Sequence, residues 1–111
     1  MNWNELETSE QLKVALELSE KQPVMLFKHS TRCPISSMAL KRMESGWDEA
    51  KAGDLQPYFL NLIMHREVSN EIEHRLGVRH ESPQVLLIKS KKCVYNASHD
   101  AISFGKVIEN I

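Results

Sequence analysis

The amino-acid sequence predicts an α/β fold in which a mixed central sheet is flanked by helices on both faces. The short continuous apolar run Val24-Met25-Leu26-Phe27 has the pattern of a strand covered on both sides, and Val85-Leu86-Leu87-Ile88, which no other fully apolar run exceeds in length, lies within a later strand. Apolar stripes at three- to four-residue spacing stand between and after these runs, as amphipathic helices require. Polar turn residues separate the segments, giving a βαβ rhythm that closes with a hairpin and a last helix.

Taken in order, Trp3 to Leu6 is a short edge strand. Glu10 to Glu20 is a surface helix with Leu12, Ala15, Leu16 and Leu18 on one stripe, Ser9 as the expected N-cap and Pro23 closing the segment. Val24 to Phe27 is a buried central strand that ends at Lys28-His29-Ser30. After the loop Ser30-Thr31-Arg32, a helix opens at Cys33 and Pro34; Ile35, Met38, Ala39 and Met43 form its apolar repeat, and Gly46 interrupts the pattern before Trp47. Tyr58 to Ile63 is a second inner strand. Val68, Ile72 and Leu76 then mark a helix that stops at Gly77. Gln84 to Lys89 and Cys93 to Ala97 are strands joined by the turn Ser90-Lys91-Lys92, whose lysines form a solvated edge that discourages strand pairing. Ile102, Val107, Ile108 and Ile111 are the stripe of a terminal helix. The resulting order, βαβαβαββα, is that of thioredoxin-like folds. With no repeat, low-complexity tract or linker in between, residues 1–111 are expected to form one domain.

Composition narrows the function classes. Fourteen basic residues against fifteen acidic ones leave a formal charge of −1, so no broad field exists to hold nucleic acid or an anionic membrane. The first ten residues are polar and acidic, and no apolar run is long enough to span a bilayer, so neither export nor a membrane partner is signalled. The two cysteines, Cys33 and Cys93, form neither a disulfide framework nor a metal knuckle; a reducing, cytoplasmic location is expected. His29, His65, His74, His80 and His99 lack ligand spacing, so neither a metal site nor a bound cofactor is expected.

Cys33 carries the chemistry. It follows a buried strand and begins a helix whose next residue is Pro34, where a missing N–H removes nothing the helix needs. There its sulfur is expected to face free backbone donors, and the positive helix end with Arg32 beside it favours thiolate over thiol. Cys33-Pro34-Ile35-Ser36 is a Cys-x-x-Cys redox frame with serine in place of the resolving thiol. Ser36 offers the thiolate a hydroxyl but cannot displace a partner by forming an intramolecular disulfide, so the expected chemistry is monothiol. The competing readings are a small apolar residue that happens to start a helix and a solvent-facing serine. Cys93 is expected at the far end of the sheet, too distant for a disulfide with Cys33, and in a packing role. Ser82-Pro83 immediately precedes an apolar strand, where a cis proline facing the cysteine would let the Ser82 backbone pair with an extended substrate; a trans proline starting an edge strand is the alternative. The expected substrate contacts are Thr31, Arg32, Pro34, Ser36, Ser82 and Pro83. His29 is a possible charge donor to Cys33 or simply a strand-end residue.

These residues resemble the monothiol bacilliredoxins, the YtxJ-like members of the thioredoxin superfamily, over nearly the whole chain. The likeness rests on Lys28-His29-Ser30 followed by Cys33-Pro34-Ile35-Ser36, on Gly77-Val78 through His80-Glu81-Ser82-Pro83-Gln84, and on Ala97-Ser98-His99. It implies that Cys33 attacks a protein–bacillithiol mixed disulfide, takes bacillithiol onto its own sulfur and is regenerated by another thiol. The implied partners are bacillithiol as co-substrate and S-thiolated client proteins. Family members commonly carry an uncharged residue at the Arg32 position and an aromatic-His pair where Tyr95-Asn96 stands. Two other readings compete: a non-catalytic thioredoxin-like adaptor that binds peptides at the Pro83 edge, and a glutathione-dependent monothiol glutaredoxin with an iron–sulfur cluster, for which no ligand beyond Cys33 is present.

Overall fold

The computed structural model describes residues 1–111. Its strands are β1 (Asn4–Glu5), β2 (Val24–His29), β3 (Gln56–Asn61), β4 (Gln84–Lys89) and β5 (Lys92–Ser98). Its helices are α1 (Ser9–Leu18), α2 (Pro34–Gly46), α3 (Glu49–Ala52), α4 (Arg66–Leu76) and α5 (Phe104–Glu109), with a 3₁₀ turn at His99–Ala101. The sheet order is β1-β3-β2-β4-β5. Both β1 and β2 run parallel to β3, whereas β4 is antiparallel to β2 and β5.

Alternation along the two central strands builds two cores. Val24 and Leu26 of β2, with Leu86 and Ile88 of β4, pack against Leu12 and Leu16 of α1 and Val68 and Ile72 of α4. Met25 and Phe27, with Val85 and Leu87, pack on the other face against Ala39 and Met43 of α2 and Phe104 and Val107 of α5. The mixed sheet with helices on both sides is therefore the predicted one. No helix is long and apolar enough to cross a membrane.

Several local expectations need correction. Thr8, not Ser9, caps α1: its hydroxyl accepts from Gln11 N–H at 3.1 Å, and the Gln11 side chain returns the bond to the Thr8 N–H at 3.2 Å. Ser9 instead donates to Glu71. Strand β2 runs two residues further than its apolar run, carrying Lys28 and His29 into the interior. Strand β3 begins at Gln56 rather than Tyr58. Its Pro57 lies at the sheet's short edge, where Asn4 Nδ2 donates to the Pro57 carbonyl at 3.1 Å. Helix α3, capped by Asp48, was not expected from the apolar spacing because only Ala52 of its four residues is buried. The turn between β4 and β5 holds two residues, Ser90 and Lys91, both at positive φ and fastened to Ser19 by hydrogen bonds of 2.8 and 2.9 Å. Ile102 precedes α5 rather than belonging to it, and Ile111 is exposed.

Candidate active site

The C-terminal ends of β2 and β3 and the start of β4 lie together, because Lys28 is opposite Leu60 and Gln84. Cys33 stands at this end as the N-cap of α2, with Pro34 as the first helical residue. Its backbone N–H donates to the Ser30 carbonyl at 3.2 Å, and its carbonyl accepts the Ser37 N–H at 3.1 Å. The thiol is partly exposed, and Thr31, Arg32 and Pro34 around it are exposed. One expectation is corrected here: the Cys33 side chain makes no capping hydrogen bond with the first turn of α2.

The apolar repeat expected for α2 holds at Ala39 and Met43 but not at Ile35 and Met38. Ile35 and Met38 are 53% and 62% exposed, while Ser36, Ala39 and Met43 face inward. Two apolar side chains near the start of α2 thus stand in water, and a serine is fully buried. The Ser36 hydroxyl lies 2.7 Å from His29 Nδ1 and accepts the Ser30 N–H at 3.0 Å. Burial holds the His29 pKa below its ordinary value, against the opposing influence of Glu44 and of the Ser36 contact. With His29 neutral and its proton on Nε2, the Ser36 O–H donates to Nδ1 while the Ser36 oxygen accepts the Ser30 N–H. Ser36 is therefore neither solvent-facing nor free to serve the thiolate; it ties the end of β2 to the start of α2. Ser36→Ala is expected to cost about 1–3 kcal/mol by leaving His29 Nδ1 and the Ser30 N–H unpaired. An unaltered denaturant midpoint would contradict that role.

Ser82-Pro83 leads into β4 at the same end of the sheet, since Gln84 is opposite Lys28. The peptide between them is cis. Pro83 is buried, Ser82 is half-buried, and the Ser82 hydroxyl is enclosed without a hydrogen-bond partner. The Pro83 carbonyl accepts the His99 N–H at 3.1 Å, and Arg42 of α2 donates to the carbonyls of His99 and Ile102 at 3.0 and 3.2 Å. The proline wall and the cysteine helix are thereby joined through the 3₁₀ turn.

Cys93 lies elsewhere. It pairs with Ile88, which is opposite Val24 at the other end of β2. It is half-buried, packs against the α1–α4 core and donates its S–H to the Tyr95 carbonyl at 3.3 Å. Burial pushes its pKa up, with the Tyr95, Leu87 and Asn96 contacts opposing. Cys93→Ser is expected to leave thiol transfer by the protein within about twofold of its original rate, measured by intact mass. A large loss would give Cys93 a part in the chemistry.

A family model for the monothiol bacilliredoxin BrxC matches residues 4–107. The chain belongs to this family. Among solved structures, a protein described as a candidate oxidoreductase with a thioredoxin fold is 27% identical at a TM-score of 0.81, over 96% of this chain and 90% of that one. The thioredoxin of Fasciola hepatica is 12% identical at a TM-score of 0.75, over 97% and 99% of the two chains. Malassezia sympodialis thioredoxin is 14% identical at 0.74, over 96% and 84%. These last two likenesses show the thioredoxin fold. Membership of the bacilliredoxins, with the oxidoreductase likeness, supports a role in thiol redox chemistry.

Sequence reasoning missed Lys28 and His80. Lys28 is fully buried on β2, and its Nζ lies 2.6 Å from His80 Nδ1. The available signal was the position of Lys28 within an otherwise two-sided buried strand, where a charge survives only when paired.

Proposed function

We propose that the protein is a monothiol thiol-disulfide oxidoreductase that removes bacillithiol, or a similar small thiol, from protein mixed disulfides through Cys33. The observation that supports this most directly is the isolation of one partly exposed thiol at a helix start. The position one turn later holds the buried Ser36, and the other sulfur is at the far end of the sheet.

The reaction then has two steps. The Cys33 thiolate attacks the small-thiol sulfur of the mixed disulfide; the client–small-thiol S–S bond breaks, and the client cysteine leaves as a thiolate. A new S–S bond now joins Cys33 to the small thiol. With no second thiol in reach, a free thiol from solution attacks the small-thiol sulfur of that adduct. It leaves disulfide-bonded to the small thiol and returns Cys33 as thiolate. Thr31, Arg32, Pro34 and the Ser82-Pro83 wall are the surfaces against which the substrate would dock. Exposed Ile35 and Met38 add an apolar rim suited to a client segment.

The test is intact-mass spectrometry after mixing the protein with a bacillithiolated client. The expected result is one adduct on Cys33 and a freed client thiol. Binding of the client without transfer would favour the peptide-binding adaptor, and preferential transfer from a glutathionylated client would move the substrate away from bacillithiol.

A further inference from the structure

Two neighbouring residues at the end of β2 point to opposite faces, and each is buried and hydrogen-bonded to one wall of the site. His29 holds the cysteine side through Ser36. Lys28 lies on the α4 side, with Val24 and Leu26, and reaches the segment Arg79–Ser82 that leads into Pro83.

That segment has no regular secondary structure and is fastened at three points. Lys28 Nζ meets His80 Nδ1 at 2.6 Å, with Ser69 Oγ at 3.4 Å from the same nitrogen. The His80 N–H donates to Glu73 Oε2 of α4 at 2.7 Å. Buried Gln84, which is opposite Lys28 in the sheet, donates to the Arg79 carbonyl at 3.0 Å and accepts the Glu81 N–H at 3.4 Å. A sealed lysine is costly, and an apolar side chain would fill the same place more cheaply. The charge is therefore placed where it fixes the segment rather than the core.

We propose that Lys28 is a positioning residue, which through His80 holds Arg79–Ser82 in the conformation that receives the client opposite Cys33. This inference rests on the reading that Ser82-Pro83 is a client-docking wall. The Lys28 ammonium donates, so His80 must present a bare Nδ1 and keep its proton on Nε2. The groups facing His80 are Lys28 of β2, Arg66, Ser69 and Glu73 of α4, and Glu81 of its own segment. Burial, then Lys28 and Arg66, lower the His80 pKa, against Glu73 and Glu81. As pH falls below the ordinary histidine range, protonation puts an N–H against the ammonium and releases the segment.

The experiment compares the protein with Lys28→Met, and with His80→Ala should Lys28→Met fail to fold. For transfer from a bacillithiolated peptide, KM is expected to rise about tenfold, the scale of one charge-assisted hydrogen bond, with kcat within about twofold. Amide hydrogen exchange at residues 79–82 is expected to quicken in the variant at pH 7. In the original protein it should quicken, beyond the intrinsic pH trend, only on acidification towards pH 5. An unchanged KM in a folded variant, or exchange at 79–82 unmoved in it, would overturn the proposal. If the original protein transfers nothing from the peptide, the functional reading fails. Hydrogen exchange then decides the positioning role by itself.

Discussion

Replacement of Cys33 by alanine is expected to abolish adduct transfer, a loss of at least about a thousandfold, because the attacking nucleophile itself is removed. The protein has no substitute. Cys93 is at the opposite end of the sheet, its S–H is committed to the Tyr95 carbonyl, and burial raises its pKa. The fold should tolerate the change. Cys33 occupies the N-cap of α2 without a side-chain capping bond, so truncation removes no contact with the helix end and is expected to cost less than about 1 kcal/mol. An intact melting transition with no mass adduct on the variant would place the effect in the chemistry. Unchanged transfer by Cys33→Ala would remove the proposed function.

Raising the pH from 8 to 10.5 is expected to stabilise the protein relative to Lys28→Met. Burial lowers the Lys28 pKa to about 8 from 10.5; Arg66 adds to the shift, while Glu73 and Glu81 oppose it. Below pH 8 both folded and unfolded chains carry the proton, and the whole penalty of a buried ammonium is present. Between the two values the unfolded chain binds more protons than the native one, so unfolding free energy increases with pH. At about 1.4 kcal/mol per pH unit the full window is worth about 3 kcal/mol. Lys28 is completely enclosed, so solvent does not screen this term away. Denaturant titrations of both proteins at pH 7.5, 9 and 10.5 should converge as the amine discharges, with Lys28→Met the more stable at neutral pH. Parallel stabilities across that range would contradict the burial penalty. Together with the expected rise in KM, such convergence would describe a residue that costs stability in order to hold a docking surface.

Much of the fold was legible because periodicity is local. The run Val24–Phe27 and the αL Gly77 after α4 each identify an element from a few consecutive residues. Boundaries failed where a distant partner decides them. Strand β2 continues through Lys28 and His29 because β3 and β4 supply neighbours for both, and no apolar run marks that extension. The α2 repeat departs from expectation at Ile35 and Met38 alone, for a related reason. Ile35 and Met38 are spaced correctly for a buried stripe, but His29 and Ser30 supply the hydrogen bonds that draw Ser36 inward instead.

For the site, the sequence alone determined a cysteine at the start of a helix, the absence of a second sulfur one turn later and the proline preceding β4, since each is a matter of residue type at short spacing. Tertiary structure decided what surrounds them: that Ser36 is committed to His29, that Cys33 lacks a capping bond, and that Lys28 reaches His80 across 52 positions of chain. Whether a buried polar group finds a partner depends on which strands and helices meet around it. That proximity is made by packing the sheet between its two helical layers, and no local pattern of residues encodes it.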